Sequence, residues 1–422
     1  MLLAVLALGA GLAACSSEDG GDDSGSGSTG GDADDSTSVD LSVLGEPDPA
    51  SGEPVVIGFG AGFEAEGQAS GAQEMLEGAQ AAVDYQNEYR RGLGGRPIEL
   101  VTCDMGALPE TAIDCANQFV EQGVAAALLP VTSNGGSAVP IITGAGIPFV
   151  SFAATSFEEL ATEGAFSIAG GGIAALGSVA MDAENRGYGT VSHVLIDVPQ
   201  ITGVAAAVGD PLFAAAGVEQ QIIPAPLGVP DLTAQLSTAT GDAILISGDR
   251  AICASALQAY RTLGLDTPLY VQTTCITDDI AESIPDIYDG MYVATSLTNG
   301  GDDAELFAAM IEKYAPDSSM SREPQGAGQA AVGVSTVISF AGALAGIGEP
   351  TADAIAAGLE SAGVQPLFLG EPTTFDCGEP ILALASSLCS VQGHIVRLDA
   401  SGDVTESESF DPTELFETAL AG

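Results

Sequence analysis

The segment RPIELVTCDMGALPETAIDCANQFVEQGVAAALLPV (96–131) decides the predicted fold. It contains an apolar run at 96–104, a stretch at 109–123 that begins with proline and predicts a helix, and a second apolar run at 125–131. Continuous apolar strands joined by helical crossovers are typical of parallel sheets that are covered on both faces. We therefore expect an α/β fold with a mainly parallel sheet.

The same alternation of strand and helix continues on both sides of this segment. The runs VVIGFG (55–60) and IPFVSFA (147–153) predict two further strands of the first sheet, and the series then restarts near residue 174. Further strands are predicted at 190–198, 218–226, 243–247, 268–275, 291–298 and 366–370, and a β-hairpin at 394–404. Helices are predicted at about 71–89, 135–145, 174–187, 202–216, 231–239, 250–264, 302–315, 325–346 and 351–362. The sequence thus predicts two doubly wound, Rossmann-like lobes around a cleft, with ligands at the carboxyl ends of the strands.

Composition and pattern predict the domain boundaries. We expect a signal peptide at 1–14, a lipidated cysteine with a disordered acidic tether at 15–52, and a polar C-terminal tail at 406–422. The first lobe is predicted to comprise 53–172 plus about 300–365, and the second lobe 173–299 plus about 366–405. No Pro/Ser-rich linker separates the lobes, so several short chain crossings are expected between them.

The charge balance excludes several classes of partner. The chain has 422 residues, with 58 acidic and 9 basic side chains and a formal net charge of −49. Nucleic acids and bare anionic membranes need clustered Lys and Arg, so neither is an expected partner.

With His193 and His394 as the only histidines, most His-dependent catalysis has few starting points. Adaptation to high salt and compositional drift both remain open as the origin of the acidity.

The N-terminus has the pattern of a processing signal. MLLAVLALGAGLAA (1–14) is too short for a membrane span and has the length of a signal-peptide core. Leu12-Ala13-Ala14-Cys15 resembles the bacterial lipoprotein cleavage box, which predicts that Cys15 is lipidated. The alternative is a chance cysteine, and no basic residue precedes the apolar run. Residues 16–52 contain ten acidic and no basic residues, so they predict a flexible tether.

Six cysteines remain after Cys15, which suggests three disulfides outside the cytoplasm. They fall into three pairs that are local in sequence, although fifteen pairings are formally available. A metal site is disfavoured, since the sequence has no CxxC motif or Cys/His cluster. The expected pairs are Cys103–Cys115, Cys253–Cys275 and Cys377–Cys389.

One longer stretch carries a family resemblance. EGAQAAVDYQNEYRRGLGGRPIELVTCDMGALPETAIDCANQFVEQGVAAALLP (77–130) resembles the first lobe of type I periplasmic binding proteins that serve ABC importers of the branched-chain amino acid class. The marks are a helix that ends in Asn87, the turn at 94–97, a strand that closes on Asp104 and a helix that begins with proline. GIPFVSFAATS (146–156) is similar to a second motif of the family. The resemblance covers roughly 53–365.

The resemblance also implies the ligand contacts. VTSNGGS (131–137) is a glycine-rich turn between a strand and a helix, and its N–H groups and hydroxyls suit a carboxylate. By the family match, the residues implied to bind the ligand in the first lobe are Thr132, Ser133, Ala153 and Thr155. Ordinary turn and N-cap chemistry is the alternative for the three hydroxyl residues. Phe63 is expected either to stack on the ligand or to pack in the core.

The second lobe departs from the pattern of amino-acid binders. Ile201 stands where they have a tyrosine, and Asp249 lies in Ser-Gly-Asp rather than Gly-Gly-Tyr. Thr274 lies where they place an acidic residue for the ammonium group. Asp249 is expected either to supply that negative charge or to cap the following helix.

Together these patterns predict a lipid-anchored, extracytoplasmic solute-binding protein. It would capture a small carboxylate- or amide-bearing, amino-acid-like metabolite and deliver it to the transmembrane subunits of an ABC importer. It is expected to be monomeric, without cofactor or metal. A ligand-sensing receptor subunit of the same fold is the first alternative. An extracellular enzyme is the second, although the sequence contains no GxSxG elbow or P-loop.

Overall fold

The computed structural model describes residues 39–62, 71–106, 108–298, 300–316, 328–382 and 385–420. Cys15 and Phe63 lie outside these ranges, as do the predicted signal peptide and most of the tether. The strands are β1 Val55–Ala61, β2 Ile98–Asp104, β3 Ala126–Leu128, β4 Phe149–Ala153, β5 Ala165–Ala169, β6 Thr190–Ile196, β7 Glu219–Ala225, β8 Ala243–Ser247, β9 Leu269–Gln272, β10 Tyr292–Thr295, β11 Gln365–Pro366, β12 Thr374–Phe375, β13 Gly393–Leu398 and β14 Val404–Phe410.

The helices alternate with these strands through most of the chain. They are α1 Gly71–Tyr89, α2 Pro109–Gln122, α3 Gly135–Gly144, α4 Phe157–Ala161, α5 Gly171–Arg186, α6 Pro199–Val204, α7 Asp210–Ala215, α8 Thr233–Leu236, α9 Arg250–Leu263, α10 Asp278–Ser283, α11 Asp302–Tyr314, α12 Gln329–Ala343, α13 Ala352–Ser361 and α14 Thr413–Leu420. A π-helical turn, Ala205–Gly209, joins α6 to α7. Within the described ranges, each helix is too short or too polar to cross a membrane.

The first sheet has the order β2-β1-β3-β4-β5 within the described chain, and its strands are parallel. The predicted unit at 96–131 forms β2, α2 and β3 on either side of β1. Helix α2 buries Ala112, Cys115, Ala116 and Phe119, which share one helical face. The side-chain amide of Asn87 in α1 bonds both to Ile98 O (2.9 Å) and to Ile98 N (2.7 Å), and so fixes α1 to the start of β2.

The second sheet has the order β14-β13-β10-β9-β8-β6-β7 among the described residues. The strands from β6 to β10 are parallel to their neighbours, whereas β13 pairs antiparallel with both β10 and β14. The predicted α/β fold with two mainly parallel sheets is therefore confirmed, and the hairpin after residue 393 is the antiparallel addition. Helices α1 and α12 cover the first sheet, and they approach closely because Gly78 and Gly333 have no side chain at their crossing.

Neighbouring residues change from one core to the other at several places in the described chain. Ala169 packs in the core of the first lobe and Ala174 in that of the second, and Ala294 and Leu297 make the opposite change after β10. The chain returns to the second core between Phe375 and Leu382, although Cys389 packs in the first core once more. The lobes are thus joined by several short crossings rather than by one tether, which suits hinge movement.

Three parts of the chain differ from the sequence-based expectations. The short strand β5 (AFSIA) completes the first sheet and was not predicted. The segment predicted as a strand at 366–370 contributes only Pro366 to the two-residue strand β11, and Leu367 and Phe368 pack in the core of the first lobe. The predicted polar tail at 406–422 instead contains the end of β14 and helix α14, whose Phe416 is fully buried in the second lobe.

The predicted disulfide pairing is confirmed. The bonded pairs are Cys103–Cys115, Cys253–Cys275 and Cys377–Cys389. Each bond closes a short loop of 12 or 22 residues. The first joins β2 to α2 and the second joins α9 to the end of β9. Both therefore stabilise segments at the carboxyl edges of the two sheets.

Candidate ligand-binding site

The carboxyl edges of the two sheets meet at a pair of glycines. Gly171 lies against Ala153 at the end of β4, so that a Cβ placed on Gly171 would be 2.7 Å from Ala153 Cβ. A Cβ on the next residue, Gly172, would lie 3.7 Å from Nε2 of Gln272, which ends β9 in the second sheet. The side chain of Gln272 therefore lies beside the chain crossing that joins the two lobes. Open α/β sheets bind ligands at this edge.

Three of the four first-lobe residues implied by the resemblance converge at one side of this edge. The hydroxyl of Thr155 donates to the carbonyl oxygen of Thr132 at 2.6 Å, which ties the loop after β3 to the loop after β4. Thr132 is buried, whereas Thr155 and Ser133 are exposed. Ala153 lies half-buried at the end of β4. The structure thus brings Thr132, Thr155 and Ala153 together, with Ser133 adjacent in the chain.

Helix α3 begins beside these residues with free N–H groups. Its N-cap residue, Asn134, makes no side-chain cap hydrogen bond. The side chain of Asn134 therefore leaves the N–H groups of Gly135 and Gly136 in the first turn uncapped. N–H groups at a helix start, together with the helix dipole, favour a negatively charged group.

Sequence reasoning missed Glu159, which lies beneath these loops. Its side chain is 1% exposed, and it accepts hydrogen bonds from the hydroxyls of Thr155 (3.1 Å) and Ser156 (3.0 Å). Burial raises the pKa of this carboxyl to about 7. The absence of a side chain at Gly135 leaves room for it, since a Cβ there would be 2.5 Å from Oε1. The signal was the capping box Ser156-x-x-Glu159.

The second-lobe candidates Asp249 and Thr274 lie at the edge of the other sheet. Asp249 is the N-cap of α9, and its carboxylate accepts from Ile252 N–H at 2.9 Å, as the capping alternative predicts. Thr274 donates to the carbonyl of Gly248 at 2.7 Å, so the loops after β8 and β9 are joined. Both side chains are exposed at this edge. Asp249 thus uses Oδ1 in the cap of α9, and the Thr274 hydroxyl already has a partner in the neighbouring loop.

Four large apolar side chains are exposed in the loops at the carboxyl edges of the two sheets. Leu108, Phe157, Ile201 and Leu227 are 61%, 62%, 42% and 59% exposed, and each follows the carboxyl end of a strand. Two of these residues belong to each lobe. Single exposed apolar side chains are common on protein surfaces, but these four all lie at the carboxyl ends of strands, where open α/β sheets bind ligands. The rim thus offers apolar contacts beside the polar groups of the loops.

The two histidines are buried in the core and do not line this edge. His193 is buried in β6 between Ser247 Oγ (2.8 Å) and Gln220 Nε2 (2.7 Å), and burial lowers its pKa to about 3. His394 is fully buried and bonds to Thr373 Oγ1 at 2.7 Å. Within the described ranges, no group of three or more His, Cys, Asp or Glu side chains is arranged to hold a metal ion.

A family model described as "Periplasmic binding protein" matches residues 54–381 of the chain. No curated protein matches the sequence significantly. The fold matches many solved structures, and three of them illustrate the range of their ligands.

The fatty acid ABC transporter substrate-binding protein of Thermomonospora curvata has a TM-score of 0.71 and 15% identity, over 88% of this chain and 96% of its own. The branched-chain amino acid transporter substrate-binding protein of Streptococcus pneumoniae, in complex with isoleucine, has a TM-score of 0.65 and 20% identity, over 85% and 99%. An ABC transporter solute-binding protein of Rhodopseudomonas palustris, in complex with 3,4-dihydroxybenzoic acid, has a TM-score of 0.66 and 17% identity, over 85% and 98%.

Proposed function

Since this chain belongs to the periplasmic binding protein family, we propose that it captures a small carboxylate- or amide-bearing, amino-acid-like solute and delivers it to an ABC importer. The family consists of solute-binding proteins rather than enzymes, and its members act outside the cytoplasm. Three disulfides agree with that location. Capture requires no covalent chemistry, because binding between two hinged lobes is sufficient.

The observation that carries this proposal is the convergence of both carboxyl edges at Gly171 and Gly172. On the first-lobe side, the free N–H groups of α3 and the hydroxyls of Ser133 and Thr155 suit a carboxylate or amide head. These local donors have to overcome a strongly negative chain, since residues 53–422 still contain 48 acidic and 9 basic side chains. We assign the head group to this side.

The second-lobe side receives the remainder of the solute. Ile201 and Leu227 provide apolar contacts, and the free oxygen of Asp249 accepts a donor group if the solute has one. Two of the similar solved structures contain isoleucine and 3,4-dihydroxybenzoic acid, and the third serves a fatty acid transporter, so each of these compounds is a carboxylic acid. That shared group supports a carboxylate head for the proposed solute.

The remaining parts of the proposal concern attachment and delivery. We propose that Cys15 is lipidated and that 16–52 acts as a tether, so that the lobes remain close to a permease in the same membrane. The two lobes then comprise mainly 53–172 with about 300–375, and 173–299 with most of the segment after 381, rather than 300–365 and 366–405 as the sequence predicted. Phe63, after β1, would contact the solute from the first lobe.

Native mass spectrometry after incubation with a metabolite extract tests the proposal. We expect one small molecule to be retained, and Thr155→Val to weaken its binding about tenfold by freeing the loop at Thr132. Thr162→Val is the matched control, because it also removes a hydroxyl that bonds to a backbone carbonyl, that of Glu158, but at the far end of α4. Equal effects of the two variants, or retention of no solute, would contradict the proposed site.

A further inference from the structure

A second pocket lies in the first lobe, away from the site just described. It has a volume of about 620 Å³ and opens between the C-terminal ends of α1 and α12, the loop at 90–95 and the start of α11. Its apolar wall consists of Leu306, Ile338, Leu344, Ile347 and Phe368. Pockets of this size and composition are typical of small-molecule sites.

The topology separates this pocket from the carboxyl edge. Helix α1 follows the carboxyl end of β1 and runs back along the sheet, so its C-terminal end lies at the opposite edge. The loop at 90–95 then leads directly into the start of β2 at Ile98. The pocket opens beside that amino edge, so an occupant there would not compete with a solute held at Gly171 and Gly172.

A mostly buried amide lines this pocket. Gln86 in α1 is 6% exposed, and its side chain has no hydrogen-bond partner among the residues that the structure describes. Its amide atoms are not among the fully buried side-chain atoms that lack a partner, so they stay accessible from the pocket. Gln86 can therefore donate to, or accept from, a polar group of a ligand there.

Basic residues gather at the mouth of the same pocket. Arg90 and Arg91 both line it, in a chain with only nine basic residues against 58 acidic ones. Arg90 donates through Nε to Tyr85 OH at 2.7 Å, which orients its guanidinium and leaves the terminal NH₂ groups available. Arg91 has only an exposed partner, Asp48, at 3.9 Å.

One acidic side chain also lines the pocket. Asp303 is half-buried, and one of its oxygens already accepts from Leu369 N–H at 2.8 Å. It lies on α11, whereas the arginines lie at the end of α1. The positive charges thus lie on the wall formed by the end of α1, and the negative charge lies on the wall formed by α11. The two arginines outnumber the single carboxylate.

We propose that this pocket binds a small organic anion with an apolar body, whose anionic head contacts Arg90 and whose second polar atom bonds to Gln86. A guanidinium binds a carboxylate, sulfonate or phosphate group through paired N–H groups. The apolar wall then takes the remainder of the ligand. The lobes would thus carry a second ligand site, independent of the proposed solute site.

Titration with 8-anilinonaphthalene-1-sulfonate, an aromatic sulfonate that fluoresces in apolar surroundings, tests the proposal on the full chain. We expect saturable binding that Arg90→Gln weakens about tenfold. Arg261→Gln is the matched control, because Arg261 is an exposed arginine on the second lobe that bonds to Pro285 O. It should leave binding unchanged.

A filling variant distinguishes this pocket from other apolar surfaces. Gly342 lines the pocket inside α12, and a Cβ placed there would meet nothing within 4 Å. Gly342→Trp can therefore attach its side chain here without a clash at Cβ, places a bulky ring at the pocket and adds a better helix former than glycine. We expect it to abolish binding of the sulfonate while the protein keeps its thermal stability. Binding that persists in both Gly342→Trp and Arg90→Gln, or no saturable binding to the parent protein, would overturn the proposal.

Discussion

Replacing Glu159 by glutamine should stabilise the protein in a pH-dependent way. Burial raises the pKa of this carboxyl from 4.5 to about 7, so the folded chain holds a proton there that the unfolded chain has already lost. The free energy of unfolding therefore falls as the pH rises from 4.5 to 7. Linkage gives a cost of about 1 kcal/mol at pH 5 and about 3 kcal/mol at pH 8.

The variant Glu159→Gln removes this cost and keeps an oxygen that can accept from Thr155 and Ser156. Any loss from weaker hydrogen bonds affects both pH values equally, so the difference between them isolates the charge. We expect Glu159→Gln to gain about 2 kcal/mol more relative to the parent at pH 8 than at pH 5. Urea unfolding at the two pH values measures this gain.

The neighbour Glu158 supplies the control for this experiment. It is exposed and lies in the same turn of α4, so Glu158→Gln should change stability little and equally at both pH values. If Glu159→Gln showed no difference between pH 5 and pH 8, or if Glu158→Gln reproduced its effect, the carboxyl of Glu159 would not be buried as described.

Other perturbations have equally definite outcomes. Burial lowers the pKa of His193 to about 3, so the neutral imidazole costs the folded state nothing above pH 6.5, whereas the unfolded state gains a proton, and thus stability, as the pH falls below that value. His193→Gln lacks this titration, so its free energy of unfolding should fall by about 2 kcal/mol less than that of the parent between pH 7 and pH 5, measured by urea titration. Arg186→Met should cost about 3 kcal/mol in the same assay, since it removes the ion pair of the buried Asp182 carboxylate and leaves it only the hydrogen bond from Tyr270 OH, whereas Arg397→Met breaks an exposed pair and should cost less than about 1 kcal/mol. Asp249→Ala should lower the free energy of unfolding by about 1 kcal/mol through loss of the α9 cap, and equal stability of the two proteins would exclude that role.

Local patterns predicted most of the architecture. The unit at 96–131 fixes the parallel pairing of the first sheet, because its apolar runs and helical face are complete within one stretch. The pairing of Cys103 with Cys115 was predictable for the same reason, since their separation of 12 residues brings them together through local structure.

Long-range contacts account for what the sequence did not predict. Strand β5 is short, and its other edge meets a distant segment, where Ser167 bridges to Leu388. Helix α14 looks polar along the chain, but Phe416 is buried because α7 and Gly177 of α5 lie next to it. Such contacts join segments more than 200 residues apart and leave no periodic signal.

The candidate site was predictable in part. The loops that contain Thr132 and Thr155 could be named from motif resemblance, and their direct hydrogen bond agrees with a shared site. Burial of Glu159 and the contact of Gln272 with Gly172 depend on how the loops and lobes meet, which residue spacing does not encode.

Small-angle X-ray scattering of the full chain, with and without the solute identified by mass spectrometry, tests the central claim most directly. The proposed capture between lobes joined by several short crossings predicts a smaller radius of gyration in the saturated protein. Tight binding of that solute with an unchanged radius of gyration would contradict capture by closure.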